Sequence, residues 1–205
     1  MPYSPEHRAR TRERIVRSAQ VLFNRHGFEG TSIDGIMAEA GLTRGAFYKY
    51  FGKKSDLYAE AIGLALREPP VGRWPGARVD FDAADVARQV IRAYLSREHF
   101  EDVDASCPLV GVPSDVARGD PEVKRVFEEV FKRMVDLFSR GLDRSDAAGR
   151  RRALVMAGLC VGGMVVARAL ADRDYADALR DAAMAFALGL GGWPERGDHV
   201  QDGRG

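Results

Sequence analysis

The chain has 205 residues, of which 45% are hydrophobic and 30% are charged. This composition is that of an ordinary globular protein, and the length suits one large helical domain or a small domain joined to a larger one. Two cysteines cannot build a disulfide framework and no secretory signal opens the chain, so we expect a cytoplasmic protein. The longest apolar run, 153–167, is predicted to be too short and too rich in glycine to span a membrane.

The net charge of +1 is unevenly distributed along the chain. Residues 1–57 contain ten Lys and Arg against six Asp and Glu, whereas the remainder contains 21 against 24. Positive charge concentrated at one end indicates an acidic partner such as nucleic acid, although a solvated helix face would have the same composition.

Apolar residues at helical spacing predict four helices in the first third of the chain. The first runs from about Pro5 to Arg25 and ends before Gly27, a typical helix stop. The second opens at residues 30–32, where a hydroxyl can cap free backbone N–H groups, and ends at residue 41. The third covers residues 44–51 and the fourth runs from about residue 54 to residue 67.

A stretch with three prolines and two glycines, residues 68–82, predicts a loop or hinge. Beyond it the pattern predicts five more helices, at about 83–97, 106–118, 121–140, 146–171 and 175–190. No strand alternation is visible, so the predicted fold is all-α, with about nine helices.

Two short helices joined by a glycine-containing turn, after a longer helix, are the layout of a helix-turn-helix DNA-binding unit. The start of the second short helix enters the major groove in such units, and an arginine there can make a bidentate contact to guanine. The predicted base-reading residues are Thr43, Arg44, Gly45 and Ala46. The predicted phosphate contacts are Thr31, Ser32, Tyr48, Lys49, Tyr50, Lys53 and Lys54, with Arg8, Arg10 and Arg12 as a basic arm.

Each of these assignments has a structural alternative. Thr31 could be only a helix cap, and Gly45 could be a tolerated defect that costs about 1 kcal/mol against Ala. The three arginines could serve solubility alone.

The segment from Thr11 to Ile62 resembles the N-terminal domain of the TetR/AcrR family of bacterial transcriptional regulators. The matching positions are Phe23 with His26-Gly27-Phe28, Thr31-Ser32, Ile36, Ala40-Gly41-Leu42, Gly45, Tyr48, Tyr50-Phe51, Lys54 and Leu57. Met37 departs from the pattern, because the family usually has alanine there. Residues 106–123 resemble a segment of one large subgroup, without indicating a ligand.

The resemblance implies a homodimer that binds a palindromic operator, usually as a repressor, and is released when a small molecule enters the C-terminal domain. It implies a three-helix DNA-binding domain at 1–53 and a larger helical domain for effector binding and dimerisation at 54–190. We expect residues 191–205 to be a flexible tail, because no core-forming period is present there.

The second half of the chain contains two further patterns. Small residues crowd 157–171, which predicts the close approach of another helix, either across a dimer or within one subunit. The predicted dimer interface contains Gly158, Gly162, Val165, Ala169, Leu179, Ala183 and Phe186. A wide apolar stripe on 121–140 could line a mostly apolar effector cavity or belong to plain core. The candidate cavity residues are Tyr94, His99, Phe100, Leu109, Phe127, Phe131, Met134 and Met164.

Other classes of function lack their motifs. We find no nucleophile–base pair, no glycine-rich phosphate loop after a strand and no metal-ligand spacing, so we predict neither enzyme activity nor a cofactor or metal. A redox role for Cys107 stays open, although packing at a helix start explains it as well. The remaining alternatives are a helical DNA-binding or interaction protein without an effector and a small-molecule enzyme with a basic accessory domain.

Overall fold

The computed structural model of the protein describes residues 4–74, 78–140, 142 and 147–193. These residues form eleven α-helices and no strand, which confirms the predicted all-α class. The helices are α1 (Pro5–His26), α2 (Ile33–Glu39), α3 (Arg44–Phe47), α4 (Lys54–Arg67), α5 (Val86–Tyr94), α6 (Arg97–Glu101), α7 (Pro108–Gly111), α8 (Pro113–Arg118), α9 (Pro121–Ser139), α10 (Ala147–Ala169) and α11 (Arg173–Leu190). Most of the predicted tail, residues 194–205, lies outside the described residues.

The first helices begin and end where local chemistry requires. The Ser4 hydroxyl accepts a hydrogen bond from the backbone N–H of His7 at 3.2 Å, and Ser32 caps α2 by accepting from Gly35 N at 3.0 Å. Gly27 has a φ of 70° and donates its N–H to Phe23 O at 2.9 Å, which ends α1.

The structure contains two more helices than the predicted nine, because α6 begins at the last residue of the predicted 83–97 helix and extends beyond it, and because the predicted 106–118 helix is divided into α7 and α8. Ser96 accepts from His99 N at 3.2 Å and caps a new helix, which separates α5 from α6. Pro113 has no N–H to continue α7 and stands instead at the first position of α8.

The N-terminal helices pack around one small core. Ile15 and Phe23 of α1, Ile36 and Met37 of α2, and Phe47 of α3 are all fully or almost fully buried. Met37, the departure from the family pattern, is therefore accommodated completely at the junction of the three helices.

Helix α4 links this core to the rest of the molecule, because it packs against both α1 and α9. The predicted domain boundary, after residue 53, falls at the start of α4 and stays a prediction.

The longest helix, α10, packs against α9 and α11. It has 23 residues and is long and apolar enough to cross a membrane by length and composition alone, so the predicted length argument against a span was wrong. Its buried side chains, among them Met156, Cys160 and Met164, belong to the same apolar core as those of the neighbouring helices. We therefore describe α10 as the core helix of a helical bundle.

Candidate DNA-binding surface and cavities

Helix α3 is shorter than predicted. Regular α-helix ends at Phe47 rather than at residue 51, and tighter turns follow, with Lys49 N donating to Ala46 O at 3.2 Å and Tyr50 N to Phe47 O at 2.9 Å. Phe47 and Phe51 are buried and anchor both ends of this segment to the core.

The first turn of α3 forms an exposed tip. Thr43, Arg44 and Gly45 are exposed and Ala46 is half-buried. Thr43 makes no capping hydrogen bond with its side chain, and a Cβ built on Gly45 would lie in open space. The tip therefore has room for a partner to approach its backbone closely.

Arg44 is held by an ion pair that the sequence pattern did not reveal. Its Nη1 lies 2.6 Å from Oδ2 of Asp34 in the first turn of α2, and both side chains are exposed. The neighbouring Asp34 carboxylate raises the pKa of Arg44. Solvent screens an exposed pair of this kind, so it adds little to stability and a stronger partner can replace Asp34.

The three arginines predicted to form a basic arm belong to a regular helix. Arg8, Arg10 and Arg12 all lie within α1. Arg12 is paired with Glu60 of α4, and its guanidinium lies 4.6 Å from the centre of the Phe51 ring, so it braces the core. Arg8 donates to Lys49 O at 3.1 Å, which places the first turns of α1 beside the end of α3.

Two other predicted phosphate contacts are engaged inside the protein. Thr31 is 3% exposed, and its hydroxyl is within 2.8 Å of Gly27 O and 3.1 Å of Leu22 O, so it ties α2 to the end of α1. The Lys54 ammonium donates to Phe28 O at 2.8 Å and to Thr31 O at 3.1 Å. The Thr31 hydroxyl is therefore occupied in this conformation, whereas the Lys54 ammonium keeps one N–H beyond the two that the carbonyls accept.

The remaining predicted phosphate contacts lie on the surface around the tip. Ser32, Tyr48 and Lys49 are exposed, while Tyr50 is half-buried. Lys53 is exposed and its Nζ lies 2.8 Å from Oδ2 of Asp120, the residue that precedes α9. Arg10 is exposed beside Glu6 of the same helix.

The end of α1 makes direct contacts with the later part of the chain, around α7 and α8. Asn24 donates from Nδ2 to Asp104 O at 3.0 Å and to Ser106 O at 3.2 Å, just before α7. The Phe28 N–H donates to Oδ2 of Asp115 in α8 at 2.7 Å. We call these contacts the α1 clamp. It joins residues about 80 positions apart, and no local pattern predicts it.

A cavity of about 530 Å³ opens between α4, α5, α7, α9 and the segment 69–82. Of the eight predicted residues, Tyr94, Leu109 and Met134 line it. His99, Phe100, Phe127, Phe131 and Met164 do not line this cavity, so it gives no support to their predicted contact with an effector, which stays a prediction. The other lining residues are Ala65, Pro69, Pro70, Val71, Phe81, Asp82, Val90, Cys107, Val130, Arg133, Asp136, Leu137 and Arg140.

The segment predicted as a hinge supplies part of this cavity. Pro69, Pro70, Val71 and Phe81 line it, and Trp74 is buried nearby. The apolar residues in this proline-rich segment were the available signal, since a solvated hinge has no use for them.

His99 lies in the core beside the cavity. Its ring stacks on Trp74 with 3.6 Å between ring centres, and its Nδ1 lies 2.6 Å from Tyr94 O. Burial lowers the pKa of His99 from an ordinary 6.5 to about 3, so the imidazole is neutral in the folded protein.

We expect His99 to make the protein acid-sensitive. Because its pKa is depressed by folding, the unfolded chain takes up a proton first as the pH falls through 6.5, and stability is lost down to about pH 3. One such proton costs about 1.4 kcal/mol per pH unit in that window. Urea unfolding between pH 7 and pH 4 should give a shallower pH dependence for His99→Asn than for the wild type; identical slopes would contradict the assignment.

A second, shallow groove of about 640 Å³ runs between α10 and α11 on the outer face. Five of the seven predicted interface residues line it: Gly158, Gly162, Leu179, Ala183 and Phe186. Val165 is half-buried and Ala169 is exposed, and neither lines the groove. Large apolar side chains stand exposed here, including Val155, Val166 and Phe186, the last at 63%.

The small residues of α10 serve two purposes. A Cβ on Gly163 would lie 2.9 Å from the Cβ of Ala183, so this glycine allows α10 and α11 of one subunit to approach. Ala183 is accordingly buried within the subunit. At Gly158 and Gly162 a Cβ would meet nothing within 4 Å, so packing inside the subunit does not explain them.

The cysteines and the acidic residues form no obvious reactive site. Cys107 and Cys160 are free and buried, and burial raises the pKa of both thiols, which favours the unreactive protonated form. Among the described residues, no three His, Cys, Asp or Glu side chains are grouped to hold a metal ion.

Comparisons with known proteins agree with this geometry. The family model for bacterial regulatory proteins of the tetR family matches residues 15–61. An uncharacterised HTH-type transcriptional regulator of Bacillus subtilis, YezE, is 23% identical over 135 residues, which are 66% of this chain and 70% of that protein. The HTH-type transcriptional regulator AcrR of Shigella flexneri is 27% identical over 166 residues, 75% of this chain and 76% of that protein.

The fold is also similar to that of solved regulators. The crystal structure of the reduced form of E. coli NemR superposes with a TM-score of 0.68 over 88% of this chain and 96% of that one, at 15% identity. At this identity the likeness shows the fold alone.

Proposed function

The chain belongs to the TetR/AcrR family of helix-turn-helix transcriptional regulators, which are not enzymes, and from that premise we propose that it is a repressor released from a palindromic operator by a small molecule. The observation that supports this best is the exposed tip of α3, open at Gly45 and held to the core by two buried phenylalanines. A rigid helix start with exposed donors is what base reading in the major groove requires.

At the tip, we assign base reading to Thr43, Arg44, Gly45 and Ala46. Arg44 would exchange Asp34 for a guanine, whose O6 and N7 accept two hydrogen bonds from one guanidinium. Around the tip, Ser32, Tyr48, Lys49, Tyr50, Lys53, Arg8 and Arg10 remain candidates for phosphate contacts.

We expect Gly45→Leu to lose operator binding without losing stability. The new side chain meets open space in the free protein, and leucine has a higher helix propensity than glycine. On DNA it would occupy the space through which the backbone approaches the bases. Thermal unfolding and operator titration check this, with Gly189→Leu as the control, because Gly189 is also unobstructed and lies far from α3 in the sequence. Unchanged operator affinity would place Gly45 away from the bases.

The groove between α10 and α11 is the dimer interface that we propose. Its exposed apolar residues surround two glycines that have no packing role within the subunit. A two-fold axis through this face would place small residues of one subunit against those of its copy. The resulting dimer would present two α3 tips to successive major grooves about 34 Å apart.

The α1 clamp supplies a physical route from the cavity to the DNA-binding helices. Cys107 and Leu109 line the cavity, and the carbonyls that Asn24 holds precede them directly. Gly111, at the other end of α7, leaves only 2.7 Å between an added Cβ and Oδ1 of Asn24. A ligand that moves α7 would therefore move the end of α1, and with it the α2–α3 unit. Coupling requires that the ligand bind the non-operator arrangement more tightly.

Transcription in vitro tests the proposal. DNA sites are first recovered by selection from a random library, and the most enriched site is placed within a promoter. We expect a symmetric site, and fewer transcripts as protein is added. More transcripts would show activation instead of repression, and recovery of no preferred sequence would favour the alternative of an architectural DNA-binding protein.

A further inference from the structure

The walls of the 530 Å³ cavity differ in character between mouth and interior. Four charged lining residues, Asp82, Arg133, Asp136 and Arg140, are exposed and form the mouth. They comprise two acids and two bases, so the mouth selects no particular charge. The interior is formed by aliphatic, proline and aromatic side chains together with Tyr94 and Cys107.

Tyr94 is the polar exception in this interior. It is 3% exposed, and among the described residues the only side chain that its hydroxyl can pair with is the weakly polar Cys107 thiol. The Cys107 thiol, which lines the cavity too, is the polar group beside it, and a thiol is only a weak acceptor. Burying a hydroxyl without a good partner costs about 1–3 kcal/mol, which a bound acceptor would recover.

Among the described residues that line the interior, none carries a positive charge. The Arg168 guanidinium, whose charge acts on Tyr94 from the core, donates to Ser106 Oγ at 2.6 Å, to Asp102 O at 3.1 Å and to Phe100 O at 3.2 Å, and it also bonds to His99 O. It does not line the cavity. An ionised carboxylate taken into this interior would lose its hydration without gaining a counter-ion.

We infer that the cavity takes an apolar molecule that ends in one neutral hydrogen-bond acceptor, of which a ketone or aldehyde oxygen is the simplest, and that the Tyr94 hydroxyl donates to it. This inference rests on the proposed role of the cavity as the effector site and specifies its chemistry. The apolar body of the molecule would lie against Val90, Val130 and Met134. Discrimination would come from the hydroxyl, because a molecule without an acceptor leaves it unpaired.

Three probes with one aromatic body test the inference: 2-acetylnaphthalene, 2-ethylnaphthalene and 2-naphthoate. Their affinities are measured by calorimetry with the wild type and with Tyr94→Phe, which removes only the hydroxyl. We expect the ketone to bind the wild type about tenfold more tightly than the hydrocarbon, since one buried hydrogen bond has that value, and the carboxylate to bind most weakly. In Tyr94→Phe the ketone and the hydrocarbon should bind equally.

Thermal unfolding of Tyr94→Phe controls for a loss of folding. This variant should unfold at the same temperature as the wild type or at a higher one. The inference would be overturned if the ketone and the hydrocarbon bound the wild type with equal affinity, or if the ketone were still preferred by Tyr94→Phe. It would also be overturned if the carboxylate bound more tightly than the ketone, or if none of the three probes bound. Operator affinity is measured alongside. Tyr94-dependent binding of the ketone that leaves operator affinity unchanged would overturn the proposed effector function but support the chemistry of the cavity.

Discussion

A Gly162→Leu chain will be monomeric and will lose most of its operator affinity. Gly162 lies on the groove between α10 and α11, where an added Cβ meets nothing within 4 Å in its own subunit and a larger side chain would stand between two copies packed face to face. The subunit should fold at least as well as the wild type, because leucine replaces glycine inside an exposed helical turn. Without dimerisation each DNA-binding domain binds one half-site alone, so operator affinity should fall by about 10²- to 10⁴-fold.

Light scattering and operator titration check this prediction together. Gly189→Leu is the matched control, because that position in α11 is equally unobstructed but does not line the groove. A Gly162→Leu chain that remains dimeric would place the interface on another surface. A monomer with full operator affinity would instead show that one subunit is sufficient for DNA recognition.

Arg44→Ala will reduce operator affinity by about 1–3 kcal/mol, or roughly tenfold to 150-fold, and will relax the base preference at one position of each half-site. The side chain is exposed at the tip of α3, where it interacts with Asp34 and with the Tyr48 side chain. Because the pair with Asp34 is exposed to solvent, its loss should change folding stability little. Affinity for random DNA should change much less, since a base contact contributes little there.

Lys49→Ala provides the comparison for Arg44→Ala. Lys49 is exposed at the other end of the same segment, and its side chain makes no ion pair within the described residues. A phosphate contact should weaken binding to all sequences equally and lower the slope of the salt dependence by about one. If Arg44→Ala also weakened binding to operator and to random DNA equally, the assignment of Arg44 to base reading would be contradicted.

Much of the fold could be predicted because the signals that define it are local. The apolar spacing of α1, the glycine after it and the Asp-Pro-Glu start of α9 each act within a few residues. The short helix α6 was missed because it depends on Ser96 capping a new helix in place of continuing α5. The division at Pro113 could have been predicted from the sequence, because a proline in a helix interior removes a backbone hydrogen bond.

The candidate site was predictable in position more than in detail. The helix-turn-helix layout placed Thr43 to Ala46 at an exposed tip, where the structure has them. Thr31 and Lys54 also matched the family pattern, but the tertiary structure directs both groups toward backbone carbonyls. A sequence motif does not separate a group that binds DNA from one that shapes the surface beside it.

The cavity was the least predictable part, because its walls come from distant segments. Val71, Val90, Leu109 and Val130 belong to four segments that converge only in the folded chain. Aromatic residues on the stripe of α9, such as Phe127, pack instead against the core. Helical periodicity shows which face of a helix is buried, but it does not show where the packed core leaves a space.

Fluorescence-anisotropy titration of a symmetric site, against a scrambled duplex and at two salt concentrations, tests the central claim most directly. The DNA flanking the gene of this protein and the most enriched site from selection are the two sources for that duplex. The account predicts tight binding of one dimer to the symmetric site and an advantage over scrambled DNA of at least about 10³-fold that persists at the higher salt. Weak binding that is equal for both duplexes and disappears with salt would contradict it, because the basic N-terminal helices would then be an electrostatic anchor without base readout.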